Sequence, residues 1–504
     1  SGTGAEDITL FVTSNDGYLH AVDTDDGAEL FSFVPKEMLA RLKTLRADPP
    51  LNASGREYGL DGPMTVWIKE NAAAADPDRD IEPGEGDHVY LYFGERRGGR
   101  NYYAVDVTNR DAPELLWKIE AGVGDFKELG ETWSAPKHTK VKIGTSEKDV
   151  LIFGGGYDPI QESATVPVDD GQGRAIYMVD AETGGRLWWT GNDALLPAPD
   201  LGFVEMTNSI PANVRVIDVD RDGLADRMYA ADLRGQLWRF DINNGASGSG
   251  LVSGALMAQL QKTSASATPN TEADNRRFFS EPDAALIVPP GKPSFMSVSI
   301  GSGSRAHPLN LVTQDRFYVV RDPNPLRKPV AYPSALTEAD LYDVTDVIKF
   351  TSEQQLDLDN AHGWRINLVD ITTNEFFGEK VLNEAVNFGG VVLFGTFTPV
   401  ATQSASACAP ATGTGRIYAL NILNGNPVYN LDQVGDDKDL KRTDRATDLV
   451  HSGIPPDIII FFPEPEGGLE GEPTPVVGSE ILNKLKFKNP VVKTYWYADE
   501  EGMY

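Results

Sequence analysis

GRAIYMVDAETGGRLWWTG, residues 173–191, runs from a glycine through an aromatic and apolar stretch to an aspartate. A turn rich in glycine and threonine follows, then a second stretch carrying two tryptophans. Aromatic and β-branched residues suit a pleated surface, and two such runs joined by a short turn read as a β-hairpin. The unit recurs with variation as GYLHAVDTDDGAELFSFVP from Gly17, GRNYYAVDVTNRDAPELLWKIE from Gly99, GQLWRFDINNG from Gly235 and GRIYALNILNGNPVYN from Gly415. DRFYVVRDPNP from Asp315 and GWRINLVDITTNEFFGEKV from Gly363 are looser versions. Six or seven copies at irregular spacings of roughly 50 to 80 residues predict an all-β fold, a modified β-propeller of seven irregular blades with long inserted loops and a few short helices. Phe31, Trp117 and Trp188, on the second strands, are expected where blades stack face to face. Sandwiches in series would show linkers between blocks of strands, whereas the repeats here run from end to end, so residues 1–504 read as one domain.

The chain has 504 residues, a formal net charge of −30 and one cysteine, Cys408. An acidic field of that size repels phosphates and attracts cations, which argues against nucleic acid as a partner. A lone cysteine makes no internal disulfide, and no stretch approaches the roughly 20 apolar residues of a membrane span. Ser1-Gly2, with the strand-like TLFVTS only a few residues on, reads as a processed or truncated start.

Helical signals are few. PKEMLARLKTLRAD, residues 35–48, places Pro35 at a helix start and Met38, Leu39, Leu42 and Leu45 at helical spacing, with Lys36, Arg41, Lys43 and Arg46 around them. It reads as a helix packed on one end of the propeller with a solvated basic side. Thr337 and Asp340 stand at capping-box spacing. Residues 244–275 read as an exposed excursion with one or two helical turns around ALMAQLQK, and ATQSASACAPATGTG reads as a second excursion.

Catalytic constellations are missing. There is no His-Glu-x-x-His pair and no Gly-x-Ser-x-Gly elbow, and no two of the six histidines stand within a few residues of each other. FGGGYD, residues 153–158, and IGSGSR, residues 300–305, lead into no helix, so they read as tight turns after buried strands rather than phosphate cradles.

DVDRDGLAD, residues 218–226, is different. Asp218, Asp220 and Asp222 fall at positions one, three and five of a calcium loop, Gly223 supplies the sharp turn at six, Leu224 offers its carbonyl at seven, and Asp226 stands at nine. Four carboxylates this close repel one another unless a hard divalent cation joins them, so Ca2+ is the expected ligand. The loop departs from an EF-hand in having Tyr229 at position twelve and strand-like flanks. DPDRDIEPGEGD, residues 76–87, has alternating aspartates but Ile81 where the glycine should be, and reads as a solvated loop.

Taken together, GRIYALN, VRVIDVDRDGLADRMYAADLRGQLWRFDI (residues 214–242), SNDGYLHAVDTDDGAELFSFVP, LDGPMT, IGSGSRAHPL, FGGVVLFGTFTP and the closing TYWY resemble the C-terminal domain of PilY-type proteins, the type IV pilus biogenesis factors and tip adhesins of Gram-negative bacteria. The resemblance implies a propeller related in shape to quinoprotein dehydrogenases and secreted to the pilus tip, cell surface, outer membrane or periplasm. It also implies calcium at Asp218, Asp220, Asp222, Leu224 and Asp226, whose occupancy balances pilus extension against retraction and twitching. The implied partners are minor pilins of the tip complex and a host or abiotic surface. The adhesive N-terminal region of full-length members is absent from this sequence.

Two other classes stay open on the residues alone. One is a calcium- and quinone-dependent dehydrogenase, a family in which adjacent cysteines commonly lie against the cofactor; Cys408 has no such neighbour. The other is a structural or receptor propeller in which calcium staples one blade.

Overall fold

The computed structural model describes residues 8–47, 57–70, 81, 86–400, 413–435, 438–462, 472–482, 484–485 and 487. In the stretch that opens the sequence reading, Ala175–Asp180 and Arg186–Gly191 form the expected hairpin, pairing Tyr177 with Trp189 and Met178 with Trp188. Its turn closes with Gly184 N–H on the Asp180 carbonyl and Asp180 N–H on that of Gly185, each at 2.9 Å. Gly184 has φ of 70°, and a Cβ there would stand 2.8 Å from Trp117 of the neighbouring sheet, so only glycine fits.

Among the described residues the strands form seven sheets of three to five strands. The first sheet spans Thr9–Thr13 to Glu29–Phe33, the second Met64–Lys69 to Glu114–Ile119, and the third Lys137–Ile143 to Leu201–Gly202. The fourth contains Arg215–Ile217, Arg227–Ala231, Gln236–Ile242 and Val252–Gln259, antiparallel in chain order. The fifth runs from Asp283–Ile287 to Gly363–Asn367, the sixth from Lys380–Val381 to Ala446–Asp448, and the seventh from Ile458–Phe461 to Glu480–Ile481.

Neighbouring sheets are joined by apolar seams. Leu19 packs with Leu91 and Phe93 between the first and second, and Trp117 with Phe153 and Ala181 between the second and third. Trp188 packs with Met228 and Phe240 between the third and fourth, and Tyr229 with Val298 and Tyr318 between the fourth and fifth. Trp364 meets Phe394 and Leu420 between the fifth and sixth, and Leu393 meets Ile458 and Val477 between the sixth and seventh. A further cluster, Trp133, Tyr157, Leu233, Phe279 and Ala306, draws on connections of four successive sheets. Of the aromatics named from the sequence, Trp117 and Trp188 lie in seams, and Phe31 packs against the first one. The fold is an all-β, seven-sheet propeller.

Three expectations need correction. The runs from Asp315 and Gly363 are neighbouring strands of one sheet, pairing Tyr318 with Arg365, rather than separate blades. The seventh sheet carries no copy of the hairpin, because its strands IIIF and TPVV lack the Asp or Asn turn. Residues 252–259, read as part of a loop with a helical turn, form a strand along the whole of Gln236–Ile242. Val252 and Leu256 enter one seam and Ala258 the next, and burial on both faces overrides the helix propensity of Ala, Leu, Met and Gln.

The helix expected at 35–48 is a 3-10 turn, Lys36–Ala40, followed by a short α-helix, Leu42–Ala47. Met38, Leu42 and Leu45 lie over Gly17, Leu39 is 54 % exposed, and Lys36, Lys43 and Arg46 stand in solvent. Thr337 and Asp340 do form a capping box, over a single 3-10 turn, Glu338–Asp340. Cys408, TYWY, both termini and most of residues 76–87 and 401–415 lie outside the described residues.

Candidate metal centre

The acidic loop joins Arg215–Ile217, an edge strand of the fourth sheet, to Arg227–Ala231. It follows the first strand of the sheet after the Gly173 hairpin, so that hairpin and the Gly235 one belong to neighbouring sheets with the loop between them, as expected.

The chain's own hydrogen bonds shape the loop. Asp218 accepts the N–H of Arg221 at 2.6 Å and of Gly223 at 2.8 Å, closing the turn across its first half. Asp220 accepts from Asp222 N–H at 3.2 Å, and Asp222 from Leu224 N–H at 2.8 Å. Arg221 and Gly223 have φ of 66° and 87°, the left-handed region that such a tight reversal requires. Beyond the turn, Leu224 and Ala225 are buried. Ala225 N–H donates to Lys140 of the third sheet at 2.8 Å, and Asp226 N–H closes back on Ile217 at 2.9 Å.

Asp218, Asp220 and Asp222 are brought together, each with a carboxylate oxygen within 4.8 Å of the others. Oxygens that share one calcium at about 2.3–2.6 Å stand at most about 5 Å apart, so this trio fits a hard cation. Asp226 is outside that group: one of its oxygens accepts Val219 N–H at 2.7 Å. Burial pushes the Asp226 carboxyl above its ordinary value, and the negative charges of Asp220 and Asp222 add to the effect. Three of the four aspartates expected from the sequence thus converge directly, with the fourth beside them.

The structure adds neighbours that the sequence reading missed. A cavity of about 120 Å³ beside the loop is lined by Asp220 and Asp226 together with Arg227, Asp241, Leu326 and Lys328. Arg227, only 2 % exposed, donates Nε–H to Asp241 at 3.0 Å and reaches the Pro325 carbonyl at 2.6 Å. Asp241 also accepts from Arg239 and from Tyr332 Oη–H. Burial opposes ionisation of Asp241, but the hydrogen bond and charge of Arg239 prevail and hold its carboxyl below the ordinary value. The signal that could have revealed this neighbourhood is the pair Arg327-Lys328, a basic step in an acidic chain.

Elsewhere the glycine-rich turns serve close packing. Both follow buried strands, Ser146–Gly154 and Phe295–Gly301. A Cβ at Gly154 would meet the Ile210 carbonyl oxygen at 2.3 Å. Among the described residues no helix is long and apolar enough to cross a membrane.

Comparison with known proteins agrees with this architecture. The family model of the PilY1 beta-propeller domain matches residues 3–250. A type IV pilus biogenesis factor PilY1 homolog of Xylella fastidiosa is 28 % identical over 437 residues, covering 84 % of this chain and 26 % of the relative. Type IV pilus biogenesis factor PilY1 of Pseudomonas aeruginosa is 31 % identical over 236 residues, covering 46 % of this chain and 17 % of the relative. The chain thus spans about a quarter or less of the length of these relatives, which are named as biogenesis factors rather than enzymes. In fold, the crystal structure of the Pseudomonas aeruginosa PilY1 C-terminal domain superposes with a TM-score of 0.62 at 20 % identity, covering 94 % of this chain and 91 % of that one. The hairpin repeat and the seven sheets agree with these matches: residues 3–250 match the PilY1 beta-propeller family, and the chain shares the fold of the PilY1 C-terminal domain.

Proposed function

We propose that this chain is the calcium-binding propeller of a type IV pilus biogenesis factor, and that ion occupancy at residues 218–226 tunes pilus extension against retraction, with effects on twitching and surface adhesion. The observation that carries this reading is the convergence of Asp218, Asp220 and Asp222 within 4.8 Å on a loop already shaped by its own backbone. Asp226 and the Leu224 carbonyl complete five protein contacts, and water or a neighbouring group supplies the remainder of the six to eight oxygens that calcium takes. The partners are minor pilins of a tip complex and the surface to which the pilus adheres. The location is outside the cytoplasm, at the pilus tip, cell surface, outer membrane or periplasm of a Gram-negative bacterium. The domain acts by binding and not as an enzyme.

A second reading has a specific observation in its favour. Ala225 N–H on Lys140, and Asn244 Nδ2–H on the Ala225 carbonyl at 3.0 Å, tie the loop to its surroundings, so calcium could serve only as a staple between sheets. The test is to place Asp222→Ala and Asp222→Lys in the full-length protein of its own bacterium and score surface pili and twitching. A tuning role predicts that the alanine form, shown by calorimetry not to bind calcium, loses normal pilus behaviour. The lysine form, with a cation among the remaining carboxylates, recovers part of it. Wild-type behaviour of both variants leaves only the staple.

A further inference from the structure

Residues 323–332 follow the strand Arg316–Asp322 of the fifth sheet and pack beside the acidic loop of the fourth. Their backbone is anchored by two buried arginines: Arg227 takes the Pro325 carbonyl at 2.6 Å, and Arg239 takes those of Asn324 at 3.1 Å and Arg327 at 3.0 Å. Arg227 directly follows Asp226, so loop and strap share a fixed origin. Anchored in this way, the strap presents Lys328 to the cavity that Asp220 and Asp226 line. Lys328 is exposed, and its Nζ donates to Asn243 Oδ1 at 3.1 Å. Arg227 and Asp241 pair with each other in the same wall, and Lys328 adds a positive charge to the cavity that Asp220 and Asp226 line.

We infer that Lys328 is a tethered counter-cation that weakens calcium binding at residues 218–226 and so sets the concentration range over which the site fills. The inference rests on the calcium reading proposed above. An ammonium held beside carboxylates lowers the field that draws a divalent ion, and it must be tolerated next to two further positive charges once the ion arrives. The anchoring of carbonyls 324, 325 and 327 limits how far the strap can withdraw. The positive charge therefore stays near the site in both states and makes the site weaker than its carboxylate count implies.

The direction of the effect separates this role from a structural one, because loss of a supporting residue loosens a site whereas loss of a competitor tightens it. In calorimetric titrations of the 504-residue chain with calcium chloride, Lys328→Met should lower Kd by about 3- to 10-fold. Lys328→Arg should leave it unchanged, and Arg327→Met, removing the same charge one residue away, should move it by less than about 2-fold. A Kd for Lys328→Met equal to or weaker than that of wild type overturns the inference, as does equal tightening in Arg327→Met. If wild type binds calcium while Lys328→Met gives no tightening, only the role of Lys328 falls. If wild type binds none, the calcium reading falls with it.

Discussion

The indole N–H of Trp117, on the second sheet, donates to the carbonyl of Ala181 in the hairpin turn of the third, at 3.0 Å. Trp364 repeats the arrangement between the fifth and sixth sheets, donating to Ile422 at 2.9 Å. Each tryptophan thus fills a seam and satisfies its polar atom at the turn beyond. Trp117→Ala should cost about 3 kcal/mol or more in chemical denaturation, and Trp117→Phe about 1–2, because the ring remains and the hydrogen bond is lost. A Trp117→Phe cost near zero would show that the hydrogen bond contributes nothing.

The acidic loop is closed by N–H groups on Asp218, so its shape does not wait for the ion. Asp222→Ala should abolish calcium binding while leaving the far-ultraviolet circular dichroism of the chain unchanged. Without the bidentate glutamate of an EF-hand, wild-type Kd should fall on the order of micromolar to tens of micromolar, with magnesium competing poorly because it demands a tighter octahedron. Collapse of the strand signal in the alanine form would mean that the ion supports the fold.

Two fully buried carboxyls predict a pH dependence. Burial raises Asp232 to about 7 against its hydrogen bonds from Trp238, Gln236 and Arg234, and raises Asp315 to about 6 against the charge of Lys380. Both folded values lie above the unfolded one of about 4, so the stabilisation is fully present below about pH 4 and lost as pH rises through 6 and 7. Stability should therefore be higher at pH 5 than at pH 7.5, by on the order of 2 kcal/mol. Asp232→Asn should flatten that slope whatever its absolute stability.

The cluster of Trp133, Tyr157, Leu233 and Phe279, with Arg96 4.8 Å above the Trp133 ring, packs side chains where four sheets' connections meet. Purified chain given pyrroloquinoline quinone, calcium and a panel of alcohols should reduce no artificial electron acceptor. Turnover that vanishes in Asp222→Ala would contradict the binding role.

Much of this was legible in the residues. The hairpins from Gly17, Gly173 and Gly415 announced themselves because an aspartate or asparagine, a turn and a left-handed glycine recur in each, Gly27, Gly184 and Gly425 having φ of 74°, 70° and 68°, and the Gly99 hairpin by its aspartate and a turn through Asn109 and Asp111. The acidic trio was visible because a calcium loop is written in consecutive residues. The seventh sheet was not, since strands such as IIIF and TPVV carry no turn chemistry of their own. Residues 252–259 were misread because local propensity cannot report an open strand edge waiting for them. The Arg327-Lys328 step marks a basic spot in the sequence, but its place beside the loop was not legible, because only the long-range anchoring of its strap by Arg227 and Arg239 brings it there.

The tryptophan at a seam acts as a key, fixing the next sheet's position from its own turn and not from the polypeptide that links them. Connections between sheets are thereby freed from holding the architecture in register. They can lengthen or change composition over evolution while Trp117 still finds Ala181 and Trp364 still finds Ile422. A propeller keyed in this way can diversify its outer surface without renegotiating its interior.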